Sequence, residues 1–124
     1  MEFNQYNTTV QQWIHTVLEN RETNADVVLE CCRDIIAYGR ETDDPKLMGF
    51  GFFYGGEIYY ELNDGAHFFH MMTEALTYLD RAEEWELVVR CYNFLGIASM
   101  SRGNPSLALD SDVNYVMPKM LLMY

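Results

Sequence analysis

Apolar residues along this chain recur at spacings of three and four and almost never at two, which is the pattern of amphipathic helices rather than strands. Start and stop signals divide it into six helices, at about 7–20, 24–41, 45–62, 65–81, 84–102 and 105–117. The second places Val28, Cys32, Ile35, Ile36 and Gly39 on one side, and the fourth does the same with Phe68, Met72, Ala75, Leu76 and Leu79. Connections of only a few residues oblige consecutive helices to run antiparallel, giving three stacked hairpins at about 7–41, 45–81 and 84–117. The chain reads as all-α, one domain over 1–124.

Helix starts are written several times over. Asp44-Pro45 and Asn104-Pro105 each set a side-chain acceptor at the cap and a proline at the first helical position, where its missing N–H costs nothing. Asn24 and Asp64 are the expected caps of the second and fourth helices. Glu83, Glu84 and Glu86 put negative charge at the positive end of the fifth. The acidic pairs Asp43-Asp44 and Glu83-Glu84 are explained by these helix starts better than by acid–base chemistry.

One motif occurs twice, forty residues apart: Phe52-x-x-Gly55-Gly56-x-x-Tyr59 and Tyr92-x-x-Leu95-Gly96-x-x-Ser99. Each copy precedes a turn and a helix carrying a small residue, Ala75 in one and Ala108 in the other. A fainter echo without the glycine stands at Trp13-x-x-Thr16-Val17. A glycine beside large residues lets a neighbouring helix nest against the backbone, so the repeat points to stacked helical pairs.

These residues resemble the tetratricopeptide repeat over about 45–112, through Phe52, Gly56, Tyr59 and Ala75 in one copy and Tyr92, Leu95, Gly96, Gly103 and Ala108 in the other. Gly55, Phe68, Ser99 and Asp112 depart from the family pattern, and the forty-residue spacing exceeds its usual length of about thirty-four, so the resemblance is to a divergent, TPR-like array. The stretches at 92–98 and 103–111 also resemble the helical-repeat segments placed ahead of GGDEF diguanylate cyclase domains in some bacteria. The cyclase signature itself is absent from this sequence, so that resemblance implies a regulatory segment for an attached signalling domain.

In the tetratricopeptide family the first helices of successive repeats line a concave groove. By that match Phe53, Glu57, Tyr60 and Glu61 of the third helix, and Arg90, Asn93, Ile97 and Met100 of the fifth, would meet a protein or peptide partner. Glu57 and Glu61 lie one turn apart, and a basic partner would relieve their repulsion. The competing reading makes the carboxylates plain solvated groups and Phe53, Tyr60, Ile97 and Met100 ordinary core.

Charge narrows the partner further. The formal net charge is −11, from 19 acidic and 8 basic residues, with no basic stripe, which opposes phosphate backbones and anionic lipid and argues against nucleic acid and membrane surfaces as partners. No run approaches the roughly twenty apolar residues of a bilayer span, and no signal-peptide pattern opens the chain, so a cytoplasmic location is expected. The three cysteines fit that compartment: Cys31 and Cys32 are adjacent and poorly placed to bridge each other, and with Cys91 they are expected reduced and packed.

Other chemistry finds little purchase. His67, His70 and Glu74 share one face of the fourth helix at metal-ligand spacing, but that face is opposite the apolar stripe and is expected to be solvated, so no metal or other cofactor is implied. Gly49-x-Gly51 and Gly55-Gly56 lie inside a helix rather than after a strand, which favours close packing over a phosphate cradle. The reading is a non-catalytic interaction or regulatory domain, with an enzyme or small-ligand sensor a distant third.

The second reading is a homo-oligomerisation module. Pro118 should end the sixth helix, yet Met120, Leu121, Leu122 and Tyr124 follow, and with Tyr115 they make an apolar end that either continues into further chain or pairs two copies.

Overall fold

The computed structural model describes residues 1–101, and among them the regular structure is entirely α-helical. Five helices follow one another: α1 (Thr8–Asn20), α2 (Ala25–Glu41), α3 (Pro45–Glu61), α4 (Gly65–Arg81) and α5 (Trp85–Ser101). Each packs on the next, and α3 also touches α5. The expected sixth helix at 105–117 lies outside the described residues.

Caps produce the helix starts. Asn7, Asn24, Asp44 and Asp64 each accept the N–H three residues on, from Val10, Val27, Leu47 and His67. Helix ends obey a rule that the sequence did not reveal. Asp43, Asn63 and Glu83 all adopt left-handed backbone, with φ of 52°, 61° and 57°. In each turn the next N–H returns to the last helical turn: Asp44 to the Gly39 carbonyl, Asp64 to Tyr59 and Glu84 to Leu79. This is the Schellman arrangement, and its last residue precedes or caps the next helix, so three residues both stop one helix and start another. The step is therefore twenty residues, a 17-residue helix and its turn, and the forty-residue echo is two such steps. Gly103 and Asn104 stand one further step along the sequence, outside the described residues.

The core is centred on α3, which is apolar all round and buried without interruption from Leu47 to Ile58. The expected stripe of α2 is buried in full, as are Phe68, Met72, Ala75 and Leu79 of α4; Leu76 is half-buried. Glycine makes the close approach on both sides possible. A Cβ on Gly49 would lie 2.6 Å from Leu79 Cδ2 of α4, and one on Gly51 would lie 2.6 Å from Ile36 Cγ1 of α2. Packing these helices leaves no room for a methyl group at either point.

Candidate functional site

One charged residue lies within the buried run of α3. Glu57 is 8% exposed, and such a group requires a counter-charge. Arg21, in the turn after α1, supplies it with two hydrogen bonds: Nε donates to Oε1 at 2.8 Å and Nη2 to Oε2 at 2.6 Å. Arg90 of α5 reaches the same Oε2 at 3.4 Å. The Glu57 hydrogen bond holds the Arg21 guanidinium even more firmly protonated, against the opposing effect of burial.

Aromatic faces carry both cations. Arg21 lies 5.1 Å from the Tyr54 ring centroid, and Arg90 lies 4.8 Å from that of Phe53. One carboxylate thus ties α1, α3 and α5 together across a single face. Two guanidiniums against one carboxylate leave the cluster with a formal excess of one positive charge.

Two clefts border this tie. The larger, about 520 Å³, is lined by Arg21, Glu22, Asn24, Ile58, Glu61 and Leu62, with Glu57 at its side. The smaller, about 200 Å³, is lined by Phe3, Phe50, Tyr54, Glu84, Glu86 and Arg90 among others. Glu22 and Glu61 are exposed at the first; Glu86 is exposed and Glu84 half-buried at the second. None of these four carboxylates enters an ion pair among the described residues. Beside its arginine, each cleft thus carries two carboxylates outside any ion pair among the described residues, with apolar surface from Ile58 and Leu62 in the first and from Phe3, Phe50 and Tyr54 in the second.

The residues expected to meet a partner divide sharply. Phe53 has no exposed surface and packs edge-on against Tyr54 and Phe94, so it shapes the face from beneath and cannot touch a ligand. Glu57 is likewise withdrawn, because both of its oxygens already accept from arginine. Tyr60, Arg90 and Asn93 are half-buried, with Tyr60 turned onto Phe68 and Phe94. Glu61 is exposed at the larger cleft. Ile97 and Met100 are exposed on α5, at 53% and 58%. Tyr115, Met120, Leu121, Leu122 and Tyr124 lie outside the described residues.

Arg21, Tyr54 and Phe3 are the contributors that sequence reasoning passed over. A glutamate within an apolar stretch of helix was a signal that a cation must approach it, but nothing local says which one.

The remaining chemistry-bearing side chains have other occupations. His67 pairs with Asp64 at 2.8 Å and lies stacked on Tyr59, while His70 meets Phe52 edge-on. Cys31, Cys32 and Cys91 are free thiols. Burial pushes all three away from the thiolate, Cys91 up to about 12, and so removes nucleophilic character. No helix of the described residues is long and apolar enough to cross a membrane.

Against protein-family models, curated proteins and solved structures alike, the chain has no match.

Proposed function

We propose that this chain is a non-catalytic interaction module, and that the face shared by α1, α3 and α5 receives a peptide or helix bearing basic and apolar residues. The observation that carries the reading is the larger cleft, open beside the Arg21–Glu57–Arg90 tie and edged by the exposed carboxylates of Glu22 and Glu61, neither in an ion pair among the described residues. Attraction to a base comes from these rim groups, with Ile58 and Leu62 supplying apolar surface for an aliphatic stem. The tie holds three helices at one spacing, which lowers the ordering cost of binding.

Selection from a random dodecapeptide library on the immobilised chain tests this. Enrichment of Lys or Arg beside apolar residues, lost on Glu61→Lys, is the expected result. Enrichment of acidic peptides, or enrichment indifferent to Glu61→Lys, refutes the reading.

Exposed Ile97 and Met100 favour a second use, self-association through α5. Light scattering over a concentration series separates the two, since only self-association makes the mass rise with concentration and fall back in Ile97→Asp.

A further inference from the structure

The residues ahead of α1 lie across the very face just described. Met1–Tyr6 has no helix of its own, and only Phe3 and Tyr6 are half-buried; Met1, Glu2, Asn4 and Gln5 are exposed. The Phe3 ring stands edge-on to Phe50, with centroids 5.2 Å apart, and the Lys46 ammonium lies 5.1 Å from its centre. Tyr6 rests beside Asp44, and burial together with that carboxylate pushes its phenol strongly up.

The backbone of this arm is held lightly. Lys46 Nζ donates to the Glu2 carbonyl, and Gln11 Nε2 donates to that of Tyr6 at 2.7 Å. Tyr6 N–H returns to the Phe3 carbonyl at 3.2 Å within the arm itself. Met1 and Phe3 form one wall of the smaller cleft, together with Glu84, Glu86, Leu87 and Arg90 of the chain entering α5. Phe50 and Tyr54 of the central helix are its floor.

A short non-helical segment that folds into one turn and seats its Phe3 ring on an aromatic floor, with Tyr6 beside it, is how a short peptide binds a preformed face. Its few contacts also make it among the easiest parts of the fold to release. We propose that the Phe50–Tyr54 floor is a docking position for an aromatic residue of a short partner segment. Phe3 occupies it in the free chain, and a partner segment pairing an aromatic ring with a basic residue displaces the arm. The ring takes the place of Phe3 on Phe50, and the base meets Glu84 and Glu86. This rests on the reading of the α1–α3–α5 face as a binding surface, and adds to it an internal competitor and an aromatic preference.

The probe is a fluorescein-labelled peptide, Met-Lys-Phe-Asn-Gln-Tyr-amide, which is the arm's own sequence with lysine in place of Glu2. It is titrated by anisotropy into the full chain and into the full chain carrying Phe3→Ala. Competition predicts saturable binding that is at least about fivefold tighter to Phe3→Ala, because the resident ring no longer reduces the fraction of open sites. Glu86→Lys on that background should weaken it again.

Equal or weaker binding to Phe3→Ala overturns the competition while leaving the face standing. Absence of saturable binding to both chains overturns the docking position, and the library selection then decides separately whether the face binds anything. Should Phe3→Ala fail to fold, 4-fluorophenylalanine at position 3 of the full chain answers the same question. Unlabelled peptide must move its fluorine resonance towards that of the free amino acid, and an unmoved resonance at saturation overturns the proposal.

Discussion

Helices α3 and α5 hold equivalent places two steps apart; they agree in burying Leu87, Val88, Val89, Cys91 and Ala98 at the places of Leu47, Met48, Gly49, Gly51 and Ile58, and differ most over 92–97. From Leu47 to Ile58 every residue of α3 is buried; in α5 the stretch 92–96 is half-buried and Ile97 is exposed. Glu57 and Ile97 correspond, yet the acid is inside and the isoleucine outside. Neighbours explain the inversion. α3 has α2 and α4 pressed into its glycine notches and two arginines brought to its one buried charge. Ion pairing lets a carboxylate be buried, whereas among the described residues no helix follows α5 to cover Ile97. Burial among these helices is a property of place in the packing more than of the residue.

The largest test of that contrast is Gly51→Ala. Its Cβ would meet Ile36 Cγ1 at 2.6 Å and the Cys32 carbonyl at 3.1 Å, and backbone cannot move aside as a side-chain tip can. A loss of about 3 kcal/mol is expected, read from urea unfolding. Next comes Glu57→Ala, which strands Arg21 and Arg90 over their aromatic rings. About 2 kcal/mol should be lost, less than for a fully buried pair because both arginines reach water. Ile97→Asp, at the corresponding place on α5, should stay within about 0.5 kcal/mol of the parent. A large loss there would erase the distinction between the two helices.

Gly55→Ala refines the account of the notches. Only the terminal methyl of Met71 blocks its Cβ, and that methyl can swing away. The higher helix propensity of alanine should then show as a gain of up to about 0.5–1 kcal/mol, the reverse of Gly51→Ala.

The smallest effect concerns the α4 cap. Asp64 is held below its usual 3.8 chiefly by the His67 N–H, with the His67 ring adding to it. A depressed carboxylate stabilises above its unfolded value and loses that contribution as pH falls through the folded one. Asp64→Asn should therefore have a lower urea midpoint than the parent at pH 7, and the difference should shrink below about pH 4 as Asp64 protonates.

Much of the fold was legible because the amphipathic helices carry their burial pattern at helical period. Gly65–Arg81 agrees with the expected 65–81, and the buried stripe of α2 is the one its spacing predicts. The face of α3 was not legible for the same reason: an all-apolar helix has no stripe to orient it, so Phe53 is expected on a surface where it has none. The twenty-residue step was hidden because its left-handed positions hold Asp43, Asn63 and Glu83 rather than glycine. Of the residues expected along the groove, Glu61, Ile97 and Met100 are exposed. Arg21 was missed because it meets Glu57 across thirty-six residues of chain, a contact that only packing creates.

The central claim, proposed above, is that one face of this helical fold, that of α1, α3 and α5, is the one that binds. Titrating the most enriched library peptide into the isotopically labelled chain, and following backbone amide resonances, tests it most directly. The account predicts that the shifts gather on Glu22, Glu61, Arg90 and the arm at Phe3, while the outward residues of α2 and α4, such as Glu30, Arg33, Thr73 and Thr77, stay still. Shifts centred on those outward residues, with the α1–α3–α5 face unmoved, would contradict it.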